Sequence, residues 1–168
     1  MLETERLVII PLNYNQMLKY IQADNSLEQE LGIKASAREI VPELKEALEQ
    51  SILPSVADPS KDYVYSTLWS IIDRNNRERV GDFCFKGEPN PAGEIEIGYG
   101  IDTAFQNRGY ITEAIGAAVK WAAAQPAVQF VTAETEKDNL PSMRVLEKCG
   151  FSRFEETDTM IGWRLSVR

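Results

Sequence analysis

Histidine is absent from this chain, and that absence excludes more chemistry than any residue present suggests. Ser-His and Cys-His nucleophile pairs and the common zinc sites all need an imidazole. Proton transfer falls instead to carboxylates, hydroxyls, lysine or water. Cysteine is scarce: Cys84 and Cys149 are too few for a disulfide framework or an all-thiolate zinc site, and are expected to be reduced core residues. No apolar run approaches the roughly 20 residues that span a bilayer, and the opening MLETERLVIIPL lacks both a basic start and a long apolar stretch. A soluble, cytoplasmic protein is expected. Basic residues are outnumbered, with 18 Lys and Arg against 26 Asp and Glu and a net charge of −8. A pI near 4.7 argues against nucleic acid or an anionic membrane as partner. It favours approach of cationic small molecules or basic peptides, although the same charge also serves solubility alone.

Phosphate and metal motifs are missing too. Gly98 and Gly100 begin a dinucleotide-like G-x-G, but the third glycine of that pattern falls on Thr103 and the pattern lies inside a strand. There is no G-x-x-x-x-G-K-[ST] loop, calcium loop or paired-cysteine spacing, so no metal is expected.

What is present suits one domain over residues 1–168, long enough to bury roughly 70% of the unfolded chain's surface. Leu7 to Ile10 reads as a first strand stopped by Pro11, and Tyr14 to Gly32 and Ala37 to Leu53 carry apolar residues at helical spacing. The loop PSVADPSKD follows as a lid-like connection. Tyr63 to Ile72 and Val80 to Phe85 form a strand hairpin around RNNRER. Glu94 to Ile101 alternates, with Ile95, Ile97, Tyr99 and Ile101 on one face and Glu94, Glu96, Gly98 and Gly100 on the other. A helix from Gly109 to Ala124 leads to a strand at Val128 to Ala133, and a helical connection implies that the two flanking strands are parallel. A second helix, Asn139 to Cys149, is stopped by Gly150, and Phe151 to Phe154 and Ile161 to Val167 complete the order β-α-α-β-β-β-α-β-α-β-β.

The most informative stretch is IDTAFQNRGYITE, Ile101 to Glu113. It leaves a strand and opens a long Ala-rich helix through a glycine. The first N–H groups of a helix have no intrahelical partner and carry the positive end of the macrodipole, so an anion such as a phosphate is favoured there. Gly109 permits close approach of backbone to ligand, or simply makes a turn at a strand-to-helix junction.

Gln106-x-x-Gly109-x-Ile111 is followed by Asn139-x-x-Ser142 and then Glu147 to Phe151, EKCGF. Together with Thr4 to Leu7 (T-E-R-L), Glu96 to Tyr99 (E-I-G-Y) and Arg108 to Ala114 (R-G-Y-x-T-E-A), these resemble the GNAT N-acetyltransferase superfamily, nearest to its Rim-type, ribosomal-protein-alanine branch. The resemblance runs essentially the whole chain in the family's order. It implies an α+β fold of α/β/α layers, with a mixed, mostly antiparallel sheet and a splayed parallel strand pair. It also implies acetyl-CoA as cosubstrate, held by Ile101, Gln106, Arg108, Gly109, Tyr110, Ile111 and Thr112, with Asn139 near the pantetheine arm. Asn139 fits a helix N-cap equally well. The resemblance makes Glu96 the general base or the anchor of a water relay. Glu94 shares its strand face, where two carboxylates would raise each other's proton affinity, although that face reads equally as solvated.

The chain departs from the family at Ile111, where Gly or Ala is usual, at Gly100, where this branch often has a large aromatic, and at Leu146, where many members place the tyrosine that protonates the departing thiolate. Ser142 or a water would substitute for that tyrosine. The expected activity is direct transfer of an acetyl group to a primary amine, either a peptide N-terminus or a small amine. At about pH 7.5 roughly a third of an α-amine but only about 0.1% of a lysine is neutral, so a weak base handicaps an α-amine less. The alternatives are a catalytically degenerate acyl-CoA-binding regulator, suggested by Leu146 and Ile111, and a cofactor-free interaction domain. A monomer or a homodimer is expected, with Ile161 to Val167 as an edge open to pairing.

Overall fold

The computed structural model describes residues 1–168. The strands are β1 (Leu2–Glu3), β2 (Leu7–Pro11), β3 (Leu68–Asp73), β4 (Glu78–Phe85), β5 (Glu94–Ile101), β6 (Phe130–Glu136), β7 (Ser152–Glu156) and β8 (Met160–Ser166). They form an eight-stranded sheet in the order β1-β2-β3-β4-β5-β6-β8-β7. Every neighbouring pair is antiparallel except β5 and β6, which run parallel because helix α5 (Tyr110–Ala123) connects them. α6 (Leu140–Lys148) follows β6. Helices α1 (Tyr14–Gln22), α2 (Ser26–Leu31), α3 (Pro42–Ala47) and α4 (Leu53–Ala57) fill the segment between β2 and β3.

Strand alternation sorts the core. Trp69, Ile71, Phe83, Phe85, Ile95 and Ile97 are buried in one cluster with Ala114, Ile115, Ala118 and Ala122 of α5 and Leu146 of α6. Aromatic rings knit it together: Trp69 stacks on Phe83 at 5.4 Å and Phe85 on Trp121 at 5.1 Å. Leu12, Met17, Tyr20, Leu27, Leu48 and Leu68 make a smaller second cluster. Cys84 and Cys149 are half-buried free thiols, and burial pushes both up from their ordinary pKa.

The structure corrects several sequence expectations. The helix expected over Tyr14 to Gly32 is two helices. Ala23 and Asn25 take left-handed φ values of 52° and 66°, and the Asp24 carboxylate accepts hydrogen bonds from both the N–H and the hydroxyl of Ser26, competing with the helical ladder. The second helix starts at Pro42, because Val41 before it is extended (φ −65°, ψ 150°), as a residue preceding proline prefers. It also runs past Leu53 to Ala57 through a π-helical turn at Leu48–Ile52, which opens the ladder just before Pro54, a residue with no N–H to contribute. The first part of the expected lid loop is therefore helical. The expected free edge at Ile161 to Val167 is interior, since β8 lies between β6 and β7. The edges are β1 and β7, and β7 reads SRFEE with every residue exposed, a charged strand that resists edge-to-edge pairing.

Leu146, at the position of the family's tyrosine, is fully buried in the main cluster. Leu146→Tyr should therefore overpack the core and lower stability by about 1–3 kcal/mol, read as a lower urea midpoint, instead of adding a hydroxyl to the site.

Candidate active site

β5 and β6 pair only over Glu94–Glu96 and Phe130–Thr132, and then part. The opening begins beyond Glu96 and Thr132, the last paired residues. The Glu96 carbonyl accepts from the Lys86 N–H, and the Asp102 N–H donates to the Val80 carbonyl, so even-numbered residues of β5 turn their backbone groups to β4. Alternation then aims the N–H groups of Tyr99 and Ile101 into the opening, beyond the last ladder step at Glu96 and Thr132.

Beyond β5 the chain makes a 3-10 turn at Thr103–Phe105 and reaches α5 through Asn107 and Gly109, both left-handed at φ 61° and 77°. The backbone N–H groups of residues 107–112 donate no hydrogen bond within the chain. They converge on the positive end of a 14-residue helix. Gln106, Arg108 and Gly109 are exposed, Ile111 is half-buried, and the Tyr110 ring is buried with its hydroxyl donating to Asp73 Oδ2 at 2.5 Å. Tyr110 thus offers this loop its N–H and not its phenol. The Thr112 side chain lines a separate groove beside Glu3, Thr4 and Lys120, away from the larger cavity to which Ile101 contributes.

Glu96 and Glu94 each meet a cation: Lys86 pairs with Glu96, and Arg164 pairs with Glu94 at 2.8 Å. Asn139 caps α6, its side chain accepting from the Ser142 N–H at 3.2 Å. The Ser142 hydroxyl lies 2.8 Å from the Tyr99 phenol, whose pKa burial pushes up. Tyr99 projects from the opposite face of β5 to Glu96, so a hydroxyl pair and a carboxylate flank the strand on its two sides. Sequence reasoning passed over Tyr99 because it alternates in register with three isoleucines and so reads as core.

The Acetyltransferase (GNAT) domain pattern matches residues 12–152. The chain belongs to the GNAT acetyltransferase family. It is 30% identical over 158 residues, 90% of this chain and 89% of the relative, to the uncharacterized N-acetyltransferase YjdG of Bacillus subtilis (strain 168). In fold it is similar to RimL, the ribosomal L7/L12 alpha-N-protein acetyltransferase, solved with coenzyme A, with a TM-score of 0.68, 15% identity and coverage of 97% and 95% of the two chains. It is also similar to the ribosomal-protein-S5-alanine acetyltransferase from Vibrio fischeri, with a TM-score of 0.68, 17% identity and coverage of 98% and 94%. The protein is an N-acetyltransferase, and its likeness to the Rim-type branch extends from motifs to fold.

The acetyltransferase has a cavity of about 750 Å³ on the Glu96 face of β5, between the strands and the segment at residues 34–39. Gly98 and Gly100 line it, and a Cβ built at Gly100 would meet nothing within 4 Å, so the missing aromatic leaves open space. Its far wall is a buried charge network that the sequence did not announce. Arg79 Nη1 donates to Asp102 at 2.8 Å and Nη2 to Asp82 at 2.5 Å, the Tyr20 hydroxyl donates to Asp82 at 2.8 Å, and Arg38 pairs with Glu28. Burial raises the Asp102 carboxyl against the opposing pull of Arg79. No cluster of three or more His, Cys, Asp or Glu side chains is placed to hold a metal ion, and no helix is long and apolar enough to cross a membrane.

Two outcomes test the loop. Gly109→Ala forces a side chain into φ 77° and sets its Cβ 3.3 Å from Arg6 Nη2; a loss of roughly 1–2 kcal/mol is expected by urea denaturation. Glu113 anchors the other end of the first turn. Burial alone would raise its pKa, but hydrogen bonds from Thr4 and from the backbone and guanidinium of Arg6 outweigh it and hold the carboxyl below its usual 4.5. A depressed carboxylate stabilises the fold above its unfolded pKa and loses that contribution as pH falls through the folded value. Melting temperature followed downwards from about pH 5 should therefore fall less steeply in Glu113→Gln than in the wild type.

Proposed function

We propose that the protein, acting in the cytoplasm as one catalytic unit over residues 1–168, transfers an acetyl group from acetyl-CoA directly to a primary amine. The run of unpartnered N–H groups at residues 107–112, beside the opening between β5 and β6, carries this reading. A diphosphate suits that run, since each phosphate oxygen can accept from successive N–H groups at a helix start. Gln106, Arg108, Gly109, Ile111 and Thr112 would hold it, mainly through main-chain donors. Ile111 is no obstacle to this mode because its N–H is as available as that of glycine or alanine. Ile101, at the end of β5, and Asn139, at the end of β6, flank the opening that would receive the pantetheine arm.

The chemistry needs a neutral amine, a donor for the developing oxyanion and a proton for the leaving thiolate. Main-chain N–H groups of β5 aimed into the opening suit the oxyanion. The amine nitrogen would attack the thioester carbonyl, the C–S bond would break as the carbonyl re-forms, and the thiolate would take a proton through the Ser142 hydroxyl, which is refilled across its hydrogen bond with Tyr99 or from water. Glu96, on the cavity face, would receive the amine proton directly or through water once the Lys86 contact opens. Glu96 is engaged by Lys86 and the chain has no histidine, so the site suits an acceptor already substantially neutral, such as a peptide N-terminus or a low-pKa small amine. The non-catalytic regulator loses its motivation at Leu146, since that residue belongs to the core while Tyr99 and Ser142 offer hydroxyls.

Titration with acetyl-CoA should raise the melting temperature by roughly 5–10 °C at a hundredfold excess over Kd. Absence of any shift at millimolar ligand would remove the reading. With an acceptor found by CoA release over an amine panel, Glu96→Gln should lower kcat and leave acetyl-CoA affinity unchanged; an unaltered rate near neutral pH would exclude Glu96 from the proton path.

A further inference from the structure

The T-E-R-L segment at Thr4 to Leu7 and the R-G-Y-x-T-E-A segment at Arg108 to Ala114 are far apart in sequence, and the chemistry above assigns the first no task. In the structure they lock together. Arg6 Nε donates to Glu113 Oε2 at 2.7 Å, the Arg6 N–H donates to Glu113 Oε1 at 2.9 Å, and the Thr4 hydroxyl donates to the same oxygen at 2.5 Å. The Arg6 guanidinium lies over the Tyr110 ring at 4.6 Å, and Tyr110 is tied through its hydroxyl to Asp73 of β3. Held on both sides, the guanidinium has one further contact: Nη1 donates to the Arg108 carbonyl at 2.9 Å.

That last bond bears on the cofactor loop. A trans peptide is planar with its C=O and N–H pointing in opposite directions, so fixing the Arg108 carbonyl towards Arg6 turns the Gly109 N–H the other way, out of the clamp. The Gly109 N–H belongs to the run that has no acceptor within the chain. Arg6 is also next to the start of β2, so the clamp refers the loop to the sheet and not to another loop. Its charge is already matched by Glu113, which makes orientation, and not added positive potential, the means by which it acts.

We propose that Arg6, locked by Glu113 and Tyr110, is a positioning residue that presents the Gly109 N–H to the diphosphate of the cofactor. This rests on the acetyl-CoA reading above. Lysine at position 6 keeps the charge and can meet Glu113, but lacks the rigid second donor that reaches the Arg108 carbonyl. Arg6→Lys therefore separates orientation from charge.

The test is calorimetric titration of wild type, Arg6→Lys and Arg6→Ala with coenzyme A and with pantetheine, which lacks the diphosphate. Arg6→Lys is expected to weaken coenzyme A by about five- to tenfold, the scale of one misdirected hydrogen bond, with pantetheine unchanged, and Arg6→Ala to weaken coenzyme A further. Wild-type affinity for coenzyme A in Arg6→Lys overturns the proposal, and so does an equal loss for both ligands, which would mean general damage to the fold. Failure of the wild type itself to bind coenzyme A overturns the acetyl-CoA reading and this one with it.

Discussion

The parting of β5 and β6 after three paired residues is the constraint on which the rest of the structure depends. A parallel pair needs a long crossover, and α5 supplies it, so the same connection that makes the strands parallel delivers a helix start to the end of the opening. Backbone donors that a continuous sheet would consume remain free on β5, and those of the first helical turn remain free nearby. The site is thus made mainly of main-chain groups, which explains how a chain without histidine can offer a place for acyl transfer.

The two faces of β5 have been given different work. On one, Ile95 and Ile97 are sealed against α5 and α6, with Tyr99 at the margin meeting Ser142. On the other, Gly98 and Gly100 face a cavity that Arg79, Asp82, Asp102 and Tyr20 also line. Burying such a network is favourable only when its hydrogen bonds are satisfied. Most are, although Nε of Arg38 and of Arg79 and Oε2 of Glu28 find no partner. The network holds the irregular segment at residues 33–41 against α1 and α2: Arg38 pairs with Glu28, donates to the Tyr20 carbonyl and lies over the Tyr20 ring at 4.3 Å. That part of the cavity wall is polar, while Leu44, Leu68, Phe83 and Ile101 line the rest.

Much of the fold was legible in advance. The alternation of Glu94 to Ile101, the helix from Gly109 to Ala124, the parallel pairing and the Gly150 stop all match the structure. Misreadings cluster between Tyr14 and Asp62, where apolar spacing is helical but capping, prolines and a π turn cut the helices elsewhere, and continue at Tyr63–Tyr65, a 3-10 turn where a strand was expected. Periodicity reports which face is buried; it does not report where side chains such as Asp24 capture the backbone. The candidate loop was legible because a glycine at a helix start is a local feature. The partners of Tyr99, Glu96 and Arg6 were not, because Ser142, Lys86 and Glu113 lie 43, 10 and 107 residues from them.

By itself the sequence determined the chemistry available to this protein: no imidazole, few thiols, an acidic surface and a helix start preceded by a glycine. It also set the alternation that assigns each strand residue to a face, since that follows from local backbone geometry. Only the tertiary structure decided where β5 and β6 part, which carboxylate meets which cation, and that Leu146 is core while Tyr99 has a hydroxyl partner. Those outcomes depend on contacts between distant segments, and no local pattern encodes the distance between side chains that the chain must fold to bring together.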